Sequence, residues 1–112
     1  MRKKAVQYAA LPPEPENALK ALGHDIRRAR VRRGIRIKDM AKRCLVSEPT
    51  MSKVEYGDPT VSFGTVVHAL WVLGMSDRLT KLLAEDAVGE SLEERRARKR
   101  VRRSSSAQAF DF

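Results

Sequence analysis

Apolar residues recur at helical spacing in five stretches of this chain, and turn residues punctuate them. Leu19, Leu22, Ile26 and Ala29 fall at i, i+3, i+7 and i+10, one face of a helix over residues 17–33, with Asn17 as its cap and Gly34 as its stop. Arg27, Arg28 and Arg32 lie on the other face. Ile37, Met40, Ala41 and Cys44, at i, i+3, i+4 and i+7, predict a shorter helix over residues 37–44, and Leu45 and Val46 form a tight connection. Ser47 is a good N-cap for a third helix reaching Tyr56; Pro49 sits in its first turn, where a missing N–H costs nothing, and Gly57 ends it. Gly57-Asp58-Pro59-Thr60 reads as a turn. Ser62 caps a fourth helix to Leu73, closed by Gly74, and Ser76 caps a fifth to Asp86. No strand pattern and no internal repeat appears.

The flanks differ in composition. Leu11-Pro12-Pro13-Glu14-Pro15-Glu16 is a run no helix interior tolerates, so residues 1–16 are expected to form a flexible arm. After Gly89, Glu93-Glu94 precede Arg95, Arg96, Arg98, Lys99, Arg100, Arg102 and Arg103, then three serines. Residues 89–112 are therefore expected to be a basic tail, disordered or helical only in part. The helical domain proper is placed at residues 17–88.

Two short helices joined by a tight turn, the second capped and carrying small polar residues, form a helix-turn-helix arrangement at residues 37–55. Met40, Ala41, Val46, Met51 and Val54 supply its apolar interior, and Ala41 must be small because the two helices cross there. Glu48, Pro49, Thr50, Ser52 and Lys53 are left on the outer side of the third helix, where base edges of a duplex would lie. Thr and Ser hydroxyls donate or accept, and Lys reaches guanine O6 and N7; Glu48 accepts from cytosine N4 or is repelled by phosphate. The same residues also read as a solvated polar helix face.

Charge strengthens the first reading. Lys and Arg outnumber Asp and Glu by 23 to 14 in 112 residues, a net charge of +9, which points to a polyanionic partner. Arg36, Lys38, Arg43 and Ser47 flank the expected groove as phosphate contacts, although each charge also reads as ordinary solvation. Helix N-termini at Ile37 and Ser47 would add backbone N–H donors. The basic tail suits phosphate, an acidic partner or simple solubility, and Phe110 and Phe112 could anchor in a partner's groove.

Other chemistry finds little support. Cys44, the one cysteine, permits neither an intrachain disulfide nor a zinc cluster and reads as a small core residue in a reduced, cytoplasmic protein. His24 and His68 lack companion ligands, so no metal and no cofactor is expected, and no nucleophile–base pair suggests an enzyme. No apolar run approaches the ~20 residues needed to span a bilayer, and no signal peptide is read at the N-terminus. Phe63, Val66, Leu70 and Leu73 form an expected core stripe. Val67 and Trp71 make a second stripe that, with Leu79, Leu82 and Leu83, could form a two-fold dimer interface, unless Trp71 completes the monomer core.

The run Ile26-Arg27…Arg30…Gly34…Asp39-Met40-Ala41…Val46-Ser47…Thr50-Met51-Ser52-Lys53-Val54-Glu55…Gly57 resembles the Cro/C1-type (XRE) helix-turn-helix of the lambdoid repressors. The continuation Gly57-Asp58-Pro59-Thr60-Val61-Ser62-Phe63-Gly64-Thr65, with Leu70…Leu73-Gly74 and Gly89…Leu92-Glu93-Glu94…Lys99-Arg100-Val101-Arg102, is similar to HipB-like antitoxins. The resemblance implies an all-α, five-helix, lambda-repressor-like domain binding a double-stranded DNA operator as a homodimer, with a HipA-like kinase toxin as partner. It also implies that Arg30 and Glu55 form an ion pair between the first and third helices. Ile37 stands where that family places a phosphate-contacting Gln. Leu45 stands where it places Gly, a position that costs a leucine ~1–2 kcal/mol in left-handed geometry.

Overall fold

A computed structural model describes residues 11–109, and those residues are all-helical. In chain order the helices are α1 (Pro13–Arg32), α2 (Ile37–Arg43), α3 (Glu48–Tyr56), α4 (Phe63–Val72), α5 (Asp77–Thr80) and α6 (Ala87–Ala109). The chain divides into two units, one running to Leu79 and the other starting at Thr80.

In the first unit, α1 packs on α3, α3 on α2, and α2 on α4. The core is Ile26, Ala29, Met40, Ala41, Cys44, Met51, Val54, Ala69 and Leu73. Met40 and Met51 are wholly enclosed, and Ala41 is buried at the α2–α3 crossing, as its small size requires. Ile35, Ile37, Val46, Val61, Val66, Leu70, Val72 and Met75 seal the margin.

Four helix ends close in one way. Gly34, Leu45, Gly57 and Gly74 adopt left-handed backbone, with φ of 65°, 57°, 73° and 76°. The next residue's N–H then turns back on the preceding helix: Ile35 to Arg30 O, Val46 to Ala41 O, Asp58 to Lys53 O and Met75 to Leu70 O, at 2.8–3.2 Å. This satisfies carbonyls that a helix end otherwise leaves open, and Ile35, Val46 and Met75 fold onto the core as they do so. Only Leu45 does this without glycine. Its side chain gains nothing in return, being 84% exposed.

Several elements differ from the sequence reading. Helix α1 begins at Pro13, four residues before Asn17, with Pro12 as N-cap and Glu16 N–H bonded to Pro12 O at 3.1 Å. The prolines fall in the first turn, where no intrahelical N–H is required, and Glu14 and Glu16 complement the helix dipole. The rest of the expected arm, residues 1–10, lies outside the described residues, as do Phe110 and Phe112. Phe63 is 68% exposed rather than part of the core, because it is the first residue of α4, whereas Val66, Leu70 and Leu73 further along the same stripe meet the core. Leu22 is 39% exposed on the outer flank of its stripe.

The fifth helix is reduced to Asp77–Thr80. Leu82 and Leu83, 67% and 88% exposed, have no packing to hold a longer one. Residues 87–109, by contrast, form a continuous helix. Asp86 caps it, its Oδ1 accepting from Gly89 N at 3.0 Å, and Ala, Glu, Arg and Lys carry it forward while acids at its start and cations beyond them suit the dipole.

Candidate nucleic-acid interface

Helix α3 owes its position to two features of α1. Arg30 reaches across to Glu55 with two donors, Nε to Oε2 at 2.8 Å and Nη2 to Oε1 at 3.0 Å, while its Nη1 donates to Ile35 O at 2.8 Å. Both side chains are mostly buried, at 11% and 6% exposure, so the guanidinium fork is satisfied where water cannot compete. Beside it the two helices nearly touch. A Cβ on Gly23 would lie 2.6 Å from Val54 O and 2.7 Å from Glu55 O, and one on Gly57 would lie 2.6 Å from Lys20 Cα.

Ser47 starts α3. Its Oγ accepts from Thr50 N at 3.2 Å and shares a hydrogen bond with Thr50 Oγ1 at 2.9 Å. The cap takes up Thr50 N and sets the Ser47 and Thr50 hydroxyls against one another, and Pro49 carries no N–H. Ser62 and Thr65 repeat the arrangement at the start of α4, at 3.1 and 2.7 Å.

The outer face of α3 presents Glu48, Pro49 and Lys53 to solvent, with Thr50 and Ser52 half-exposed. Arg36, Lys38 and Arg43 are exposed on α2 and its lead-in, Arg36 standing at the N-cap with extended backbone. One residue of this face was missed. Tyr56, 78% exposed, shares α3's outer side with Ser52 one turn earlier. Its i+4 spacing from Ser52 is the signal in the sequence that places it there.

A second omission is the flank of α1. Lys20, His24 and Arg27 line a shallow depression together with Ile37, Ser52 and Tyr56, floored by the Arg30–Glu55 pair. Three basic side chains thus meet the α3 face where the sequence reading saw only a charged helix surface. Ile37 contributes an apolar wall there in place of an amide donor.

The turn after α3 is fixed by Asp58. The Thr60 hydroxyl and N–H both donate to its Oδ1, at 2.6 and 2.8 Å, and hold its carboxyl below the usual carboxylate range, helped by the charge of Lys53. Cys44 lies in the core, and burial pushes its thiol up, away from the reactive thiolate. Among the described residues no group of three potential ligands could hold a metal ion, and no helix is long and apolar enough to cross a membrane.

On α4, Val67 is half-buried and Trp71 is 65% exposed, its ring 5.8 Å from that of His68. Trp71 therefore does not complete the monomer core. Leu79 is half-buried at the end of the first unit, whereas Leu82 and Leu83 belong to the second.

Comparison with curated proteins and with solved structures returns no match. Comparison with protein families returns one described as a helix-turn-helix domain, which matches residues 21–83.

Proposed function

Since the chain belongs to the helix-turn-helix domain family, we propose that this DNA-binding regulator is a sequence-specific transcriptional repressor acting on a short palindromic operator. The supporting observation is the setting of α3: a capped helix, clamped through Glu55, turns Glu48, Pro49, Ser52, Lys53 and Tyr56 outward beside the basic edges of α1 and α2. Lys53 and the hydroxyls of Thr50, Ser52 and Tyr56 would read base edges. Arg36, Lys38, Arg43, Lys20 and Arg27 would neutralise phosphates and carry most of the affinity. The reading face has no Arg, Asn or Gln, so base discrimination by α3 alone is modest, and half-site spacing and duplex shape supply the rest.

Phe63, Val67 and Trp71 follow one another at i, i+4 and i+8 along α4 and leave an apolar stripe uncovered. A second copy of the chain packed on this stripe gives the two-fold pairing that a palindrome requires. The protein then works in the cytoplasm, on the nucleoid.

A titration of duplex from upstream of its own coding sequence, against a scrambled duplex at two salt concentrations, tests the repressor. Discrimination with steep salt dependence is expected; equal binding to both duplexes overturns specific recognition. The variant carrying Lys53→Ala and Tyr56→Ala is expected to lose the discrimination.

The similarity of residues 57–103 to HipB-like antitoxins supports an additional role, restraint of a HipA-like kinase toxin whose operon the protein also represses. Co-purification with such a kinase encoded beside it is the expected result. Absence of both a neighbouring kinase gene and a bound kinase leaves a free-standing regulator. A protein-interaction adaptor would bind neither duplex specifically.

A further inference from the structure

Seven of the nine residues from Arg95 to Arg103 are Arg or Lys, and they form the middle of α6 rather than a coil. At about 100° per residue their side chains cover one continuous arc of roughly 200°. Arg98, Arg102, Arg95, Lys99, Arg103, Arg96 and Arg100 follow one another around it. Glu90, Glu93, Glu94, Ala97, Val101 and Ser104 fall on the remaining side. The helix is thus divided lengthwise into a cationic face and a weakly acidic one.

Arg95, Arg96, Arg98, Lys99 and Arg102 line a shallow concavity with Leu92, and Arg98 meets Glu94 at 3.6 Å in an exposed contact. Every side chain from 90 to 104 is exposed, so none of these cations is held by a core. A surface helix that needs cations only for solubility has no reason to gather seven on one face, where their mutual repulsion destabilises it. A row of phosphates offsets that repulsion and releases counterions.

We propose that the cationic face of α6 is a second, sequence-independent contact for double-stranded DNA, laid against the phosphates of the duplex whose bases α3 reads. The inference rests on the DNA-binding reading for its choice of polyanion. Charge complementarity carries it: the face is as broad as a helix in a groove bounded by two phosphate strands demands. Through it the chain would hold any duplex loosely while α3 samples sequence.

The test uses the full chain with Arg95, Arg96, Lys99 and Arg102 all replaced by Gln, residues whose removal disturbs no buried contact. Binding to a random-sequence duplex is followed by fluorescence anisotropy between about 50 and 200 mM salt. The slope of log K against log salt is expected to fall by about 2 to 4, and affinity near 100 mM by roughly 10²- to 10³-fold. An unchanged slope and affinity overturns the proposal. So does loss of binding to phosphatidylserine vesicles, or to an acidic peptide, with duplex binding intact.

Failure of the α3 reading shows separately. The α3 variant Lys53→Ala, Tyr56→Ala would then choose sequences from a random pool no differently from the parent, while the α6 variant still weakens all duplexes alike. Circular dichroism confirms that the α6 variant keeps its helix; if it does not, single replacements of Arg95 or Lys99 are each expected to lower the slope by about 1.

Discussion

Arg30 holds Glu55 by both carboxylate oxygens, at 2.8 and 3.0 Å, across a separation of 25 positions in the chain. The pair joins the last turn of α1 to the last turn of α3, so α3 is oriented by electrostatics as well as by packing. Removing one member leaves the other charged and nearly dry. Glu55→Ala is therefore expected to cost about 3–5 kcal/mol, read as a fall in the urea midpoint without a change of slope. A loss below about 1 kcal/mol would class the pair with exposed ion pairs.

Gly23 sits under the backbone of α3, with room for no Cβ: Val54 O and Glu55 O are 2.6 and 2.7 Å from where it would be. Carbonyl oxygens in a helix cannot step aside as a flexible side chain can. Gly23→Ala is expected to destabilise the domain by about 1–3 kcal/mol as the helices are pushed apart. Its higher helix propensity should not rescue it. A thermal midpoint equal to or above the parent's would show that α1 and α3 can separate freely.

Leu45 offers the opposite case. Its φ is 57° and its side chain is 84% exposed, so leucine carries the strain of left-handed backbone with almost no burial to offset it. Leu45→Gly is expected to raise stability by about 0.5–1 kcal/mol, the relief of strain less the greater freedom of an unfolded glycine. Denaturant unfolding decides it. A destabilised variant would mean that the exposed leucine has a folded-state contact after all.

Asp58 ties acid sensitivity to the turn behind α3. Its carboxyl is held below the usual range by the Thr60 hydroxyl first and the Thr60 N–H second. The folded state thus keeps the charge at pH values where the unfolded chain takes up a proton. The stability it contributes is present in full above the ordinary carboxylate pKa and disappears as pH falls through the lower folded value. Asp58→Asn is expected to flatten that part of the acid limb of a stability–pH curve. Superimposable acid limbs for parent and variant would sink the assignment.

Local chemistry made much of the α2–α3 unit legible in sequence. Serine caps, a short connection and apolar spacing are interactions among near neighbours, and they placed Ser47, Ser62, Met40 and Met51 where the fold has them. The prolines at the start of α1 misled because the same residue that breaks a helix interior is harmless in a first turn. Phe63 misled for a different reason. Periodicity identifies an apolar stripe but not how far along it packing reaches: Val66, Leu70 and Leu73 meet the core, whereas Phe63, at the start of α4, lies beyond it. Tyr56 was within reach of its i+4 spacing from Ser52, but the Lys20–His24–Arg27 flank needed the third dimension outright, since its neighbours lie on other helices.

Among the described residues the nine buried hydrophobic side chains run from Ile26 to Leu73, and their partners are helices close together in sequence. Such local topologies fold in microseconds to milliseconds, whereas synthesis adds about 5–20 residues each second. The α1–α4 domain therefore has the time to reach its folded state before α6 has cleared the ribosome. The nascent chain would then fold α1–α4 first and release the cationic face of α6 afterwards, which limits the interval in which that face can drag an unfinished domain onto ribosomal RNA.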